Sequence, residues 1–406
     1  MSVREHDAFN PFEAGEPQDA WPLIAELRAA GAVATIASDL RYVTRHAECE
    51  AVLRDATTFV NESGFKEPGV EVPLQDKTLG ELDPPFHGPI RRVMVTALTP
   101  RVVHAAEPFM RATAEELLDA IPVPGTVDLV PAFTTPLPNR VTVHLLGFPP
   151  EDADEVASWA KEFMESGFPG TNRTERGVGF ENAFPEFAGY IDEQIERRAR
   201  ADVAADEGND VLTRLLALEV EGNRLTRRQV RALARNLITG GFTTTSQLLG
   251  NLLYQLLADE RIAQVVYADP AALAQAVEES LRLAPPVLFV PRTCVHDTTI
   301  AGDAVRRGER VIVGTGSANR DESVFADADT FRLDRGNADQ HLTFGYGPHV
   351  CPGAALARVE ARIAIGTFLE RFPLGSVRLA PDYEFVNVPT YFEVGPRELP
   401  VETFAR

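Results

Sequence analysis

The chain has 406 residues, 44% of them hydrophobic, and a formal net charge of −21. That is enough apolar material for a large core, it excludes a disordered chain, and the acidity argues against nucleic acid or an anionic membrane surface as partner. Three cysteines, Cys49, Cys294 and Cys351, cannot build a disulfide framework and suit a reducing cytoplasm.

The opening MSVREHDAFNPFEAGEP is polar and has neither a signal-type apolar core nor a membrane-spanning stretch. From Gln18 to Ala30 the apolar residues Trp21, Leu23, Ile24 and Leu27 recur at helical spacing. Val33–Ala37 and Arg41–Thr44 read as a hairpin, followed by a helix over His46–Arg54. Phe59 to Leu82 has no period and is rich in glycine and proline, which predicts a long functional loop. Helices are expected from near Phe86, over about Val102–Ile121, through Val141–Leu146, and over Asp152–Ser166 and about Glu181–Ala201. A proline-rich piece, Pro122–Pro138, interrupts them.

The longest helix opens at Thr226 and runs to about Asp259, and another covers Ala271–Leu283. Strand-like runs Leu288–Val295 and Arg310–Val313 precede an irregular coil over Asp321–Gln340. A helix to about Phe372 and a β-rich tail close the chain. No linker, repeat or low-complexity tract divides it, so residues 1–406 are expected to form one domain, mainly α with a minor β part.

The stretch that decides the reading is His341 to Glu360, HLTFGYGPHVCPGAALARVE. Gly345 and Gly347 allow a tight loop, and Gly353 lets a helix start lie close against something flat. Cys351 at that helix start lies near free backbone N–H groups, which favour a thiolate. Most lone cysteines are buried structural residues, but that reading leaves Phe344, Gly345, Gly347, His349, Cys351 and Gly353 unexplained. The run resembles the haem-ligand signature of the cytochrome P-450 family at every specified position. The resemblance implies the single-domain P-450 fold, with a thiolate-ligated haem b between the long central helix and the cysteine helix, and Cys351 as the iron ligand.

Other motifs fall in register with that resemblance. Glu279 and Arg282, three apart on one helix, resemble the family's Glu-x-x-Arg pair, and Arg335 matches its third, structural partner. His87 and Arg91 match the His-x-x-x-Arg pair for the haem propionates, joined by Arg292 and His349. The stretch Ile238-Thr239-Gly240-Gly241-Phe242-Thr243-Thr244-Thr245 is poor helix material, as expected where dioxygen must approach. Gly240, Gly241 and Thr244 fit the family's pattern there, but Thr243 stands where an acid is usual. A threonine hydroxyl can relay a proton and cannot serve as a charged source.

The resemblance implies a soluble, bacterial-type, cytoplasmic and monomeric haem-thiolate monooxygenase. It would insert one oxygen atom of dioxygen into a small to medium apolar or aromatic substrate by hydroxylation or oxidative dealkylation. Electrons would come from NAD(P)H through a reductase and a ferredoxin or flavodoxin. Arg91, Arg92, Arg101, Arg358 and Arg362 are expected to form its docking face. The substrate pocket is expected at Phe163, Phe168, Leu237, Phe242, Val287, Phe289 and Tyr391. Thr243 raises the alternative of a peroxide-using peroxygenase, and a non-catalytic haem sensor is the reading from another class.

Overall fold

Apolar residues at three- and four-residue spacing build most of the chain into helices, and local capping chemistry sets where each one starts and stops. The computed structural model describes residues 20–61, 72–166, 179–201, 210–220, 222–390 and 392–405. The long helix runs Arg227–Ala258, about 48 Å at 1.5 Å per residue. Thr226 opens it with a reciprocal cap: its hydroxyl accepts from the Gln229 N–H, and the Gln229 side chain accepts from the Thr226 N–H.

Two aspartates separate the next helices. The Asp259 carboxylate caps a separate helix, Glu260–Ala268, and Asp269 caps Pro270–Leu283. The sequence reading leaves the first of these unassigned, as it does Val211–Ala217, which Asp210 caps. Both are too short for periodicity to register, and the cap was the usable signal.

Proline corrects two further expectations. The segment Glu181–Ala201 is two helices, Phe180–Ala183 and Pro185–Ala201, because Pro185 has no N–H to continue the ladder. The helix expected through Val141–Leu146 already begins at Pro136, where Pro136 and Pro138 occupy a first turn whose N–H groups need no helical partner. Ahead of it, Gly125–Asp128 is a strand that joins Pro400–Thr403 and Val377–Leu379 of the tail in a three-stranded sheet.

A five-stranded sheet has the order Val33–Ala37, Leu40–Val43, Arg310–Val313, Val290–Cys294, Phe59–Val60. Arg310–Val313 pairs parallel with Leu40–Val43 and antiparallel with Val290–Cys294, setting Arg292 opposite Val311. The main core lies between the long helix, Pro100–Asp119, Pro136–Leu146 and the cysteine helix Ala354–Arg371. The architecture is mainly α with a minor β part. Among the described residues no helix is long and apolar enough to cross a membrane.

Candidate functional site

The loop before the cysteine helix is shaped by two left-handed glycines, Gly345 (φ 72°) and Gly347 (φ 69°). A Cβ on Gly347 would also stand 2.9 Å from the Leu53 carbonyl oxygen. The turn brings the Cys351 N–H onto the Phe344 carbonyl at 2.8 Å, and Gly353 caps the helix. Cys351 is solvent-accessible yet closely surrounded by protein; the two agree because the surface it shows faces an internal cavity.

That cavity, with the open solvent at its mouth, spans about 1020 Å³. One wall is Phe344, Cys351, Pro352, Gly353, Leu356 and Ala357; the other is the middle of the long helix, at Leu237, Gly240, Gly241, Thr244 and Thr245. His87, Arg91 and His349 also line it. The weak stretch remains one continuous helix. The Thr244 hydroxyl donates to the Gly240 carbonyl oxygen at 2.7 Å, and the Thr239 hydroxyl donates to that of Arg235 at 3.0 Å. Gly240 is open to the cavity. Gly241 has an additional duty, since a Cβ there would lie 3.0 Å from Thr142 Oγ1 on the crossing helix.

Electrostatics around the thiol oppose one another. Burial pushes the Cys351 thiol up, against the backbone N–H groups of Gly353 and Ala354 and the charges of Arg91 and Arg358. The helix start favours the thiolate as expected, but burial outweighs it. A bound cation would tip the balance, since a coordinating thiol is deprotonated by its metal.

The structure brings His87, Arg91, Arg292 and His349 together. The rings of His87 and His349 lie 3.9 Å apart, and Asn61 Nδ2 is 2.8 Å from His349 Nε2. His87 Nε2 is buried with no hydrogen-bond partner among the described residues. Burial holds His87 down to about 4, with Arg91 adding to it. His349 falls to about 3 through burial, His87, Arg292 and Arg91. Arg292 is lowered to about 10 by burial, with Asp83 acting the other way. Desolvated donors grouped beside an enclosed thiol suit a flat ligand that carries carboxylates on one edge and a thiolate-binding metal at its centre. The residues present fit a haem.

Behind the cysteine loop, Glu279 accepts from Arg282 at 2.7 and 2.8 Å and from Arg335 Nε at 3.0 Å. Arg282 also donates to the carbonyl oxygens of Asn319, Ala328 and Thr330, which ties the coil leading to the loop.

A family model described as Cytochrome P450 matches residues 170–382. The mycinamicin IV hydroxylase/epoxidase of Micromonospora griseorubida is 32% identical over 88% of each chain. The linalool 8-monooxygenase of Pseudomonas putida is 34% identical, over 73% of this chain and 71% of that one. Among solved structures, a mutant of P450 EryK in complex with erythromycin B has a TM-score of 0.83. It is 29% identical and covers 97% of this chain and 98% of its own. The chain belongs to the cytochrome P450 family. It is therefore an oxidoreductase of the monooxygenase class, and the family implies a haem-thiolate cofactor.

The expected pocket residues of this P450 fall in different places. Leu237 lines the cavity. Phe242 is a core side chain, and Phe289 packs edge-on against Phe392 in the core beneath the sheet. Val287 forms a bridge with Glu393 of the tail. Phe163 packs against Phe180 and Phe184, under the Arg235 guanidinium. Phe168 and Tyr391 lie outside the described residues.

Two carboxyls escaped sequence reasoning. Glu360 is buried on the cavity wall, and burial raises it to about 8. Glu393, buried on the tail, accepts a hydrogen bond from the Thr243 hydroxyl at 3.3 Å. Neither carries a local signal, because each is defined by what surrounds it.

Proposed function

We propose that the protein is a haem b monooxygenase that inserts one oxygen atom of dioxygen into a C–H bond of a small to medium apolar substrate. The observation that carries this reading is one cavity with the Cys351 thiol on one wall and the Thr244 hydroxyl, beside open Gly240, on the other. Cys351 would ligate the iron, and His87, Arg91, Arg292 and His349 would hold the propionates. Bound there, the thiolate-ligated haem supplies dioxygen activation and oxygen transfer.

The chain's own part is set by its side chains. Leu79, Met94, Leu98, Leu145, Leu237 and Leu356 give the cavity an apolar lining that excludes water and favours an apolar substrate. Thr142 and Asn236 are polar points on the same lining that can orient a substrate hydroxyl or carbonyl. Thr244 holds its hydroxyl toward the cavity by donating to the Gly240 carbonyl, and can accept a proton-bearing water in return.

Electrons are proposed to come from NAD(P)H through a reductase and a ferredoxin or flavodoxin. Arg92, Arg101 and Arg362 are exposed and remain as docking candidates. Arg358 is less suited, because it pairs with Glu278 at 2.6 and 2.8 Å and lies over the Phe344 ring. Arg91 lines the cavity. The relatives act on mycinamicin IV and on linalool by name, which supports a small organic molecule as substrate. We propose a cytoplasmic monomer.

The test is an absorbance titration of the ferric protein with monoterpenes, macrolactones, steroids, fatty acids and aromatic acids. A low-to-high-spin shift for one class is expected, followed by oxidised product when reductase, ferredoxin and NAD(P)H are supplied. Product with peroxide alone and none with the electron chain would favour the peroxygenase reading that Thr243 raises. A purified protein without a haem spectrum would refute both.

A further inference from the structure

The long helix has a threonine, Thr243, where an acid is usual, yet a carboxyl is at hand. Thr243 Oγ1 lies 3.3 Å from Glu393 Oε1. Glu393 belongs to the tail, 150 residues further on in sequence, and is 9% exposed.

Its position is fixed from several sides. The Glu393 N–H donates to Thr390 Oγ1 at 3.0 Å, and its carbonyl accepts from Asn387 Nδ2 at 3.0 Å. Val287 bridges to it across the strands, and Asn251 of the long helix donates to the Val394 carbonyl at 2.9 Å. Gln247, one helical turn beyond Thr243, also hydrogen-bonds the carboxyl, while its own Oε1 is buried with no partner among the described residues. Gly395 makes the approach feasible, since a Cβ there would meet Gln247 Cγ.

The neighbours are uncharged. Thr243 and Gln247 contact the carboxyl from the long helix, while Val287, Asn387 and Thr390 hold the Glu393 backbone. Among the described residues no cation is ion-paired to it. Burial raises its proton affinity, while Gln247 and Thr243 act the other way. A buried carboxyl without a cation keeps its proton more readily than an exposed one.

We propose that Glu393 is the acid half of an acid–alcohol pair, supplying protons through the Thr243 hydroxyl to the oxygen side of the cavity. This rests on the monooxygenase reading. A hydroxyl both donates and accepts, so the one contact serves both directions. A proton passes from the Glu393 carboxyl to Thr243 Oγ1 as the hydroxyl's own proton leaves to a water on the Thr244 side. The carboxylate left behind is reprotonated from solvent, and charge balances at each step. Glu393 is thus a positioning residue that acts through Thr243; the acid missing from the helix returns from the tail.

The experiment uses the haem-loaded protein with a surrogate reductase, ferredoxin and NADPH, without added substrate. Glu393→Gln keeps the shape and removes the ionisable proton; Thr243→Val removes the relay and leaves the carboxyl. The wild type is expected to show at neutral pH a protonated-carboxyl infrared stretch that is lost in Glu393→Gln and shifted in Thr243→Val, beside the band that Glu360, also raised by burial, gives in all three. Both variants should release more hydrogen peroxide per NADPH, with protonation-limited turnover slowed by about tenfold or more. Adding Thr243→Glu to Glu393→Gln should restore the wild-type ratio, which a merely structural role would not do.

No carboxyl band lost between wild type and Glu393→Gln, together with an unchanged peroxide ratio in both variants, would overturn the proposal. If Glu393→Gln does not take up haem, Thr243→Val alone decides by the same two readouts. A wild type that binds haem but consumes no NADPH with any redox partner would overturn the monooxygenase reading, and this one with it.

Discussion

Glu279→Ala probes the link between the buried ionic cluster and the cysteine loop. Glu279 and Arg282 are both 0% exposed and Arg335 is 4% exposed. The carboxylate accepts from both guanidinium groups and from the Arg332 N–H at 2.9 Å. Removing it strands two buried positive charges and one amide. Breaking such a pair costs about 3–5 kcal/mol. The carbonyls that Arg282 and Arg335 retain keep the value near the middle, about 4 kcal/mol, out of a typical total of roughly 5–15 kcal/mol.

The loss should reach the haem site, because the coil tied by this cluster is continuous with the loop. Asn319 donates from Nδ2 to Thr343 Oγ1 at 2.8 Å and accepts from the Leu342 N–H, while the Thr343 hydroxyl donates to the Leu281 carbonyl. The assay is denaturant unfolding followed both by helix content and by haem absorbance. The control is Glu370→Ala, whose partner Arg111 is 46% exposed and whose loss should cost no more than about 1 kcal/mol. A Glu279→Ala variant within about 1 kcal/mol of wild type, with haem retained, would refute the reasoning.

Three further outcomes are expected. Gly347→Ala combines a left-handed backbone with a Cβ 2.9 Å from the Leu53 oxygen, so it should destabilise the loop by about 1–3 kcal/mol and lower haem occupancy. Gly336→Ala, with open space around it, should do neither, and haem-to-protein absorbance ratios check both. Glu360 is held near 8 by burial against 4.5 for an exposed glutamate. Its wild-type stability contribution is therefore intact below pH 4.5 and lost as pH rises to about 8. Glu360→Gln should gain relative stability over that window by at most about 5 kcal/mol, and equal melting-temperature differences at pH 4 and pH 8 would contradict it. Arg92→Glu and Arg362→Glu should raise the KM for an acidic ferredoxin and flatten its salt dependence, with spin-state titrations unchanged. Unaltered ferredoxin kinetics in both would move the docking face elsewhere.

Much of this P450 was legible in its chain because the relevant signals are local. The glycine, histidine and cysteine spacing around Cys351 is fixed by one turn, and the Glu279–Arg282 and His87–Arg91 pairs by one helix face. The long helix and the strands Val33–Ala37 and Arg310–Val313 are set by periodicity and caps. Short capped helices such as Glu260–Ala268, and the break at Pro185, escaped because periodicity needs length to register. Tertiary structure alone decided the rest. Phe242 and Phe289 became core rather than cavity wall, Arg358 was engaged by Glu278, and Gly241 was needed for the approach of Thr142. Glu393 was set against Thr243 across 150 residues of chain. These depend on which surfaces meet when helices and sheet pack. No local pattern encodes that meeting, because burial and partnership are properties of the assembled core and not of the residue itself.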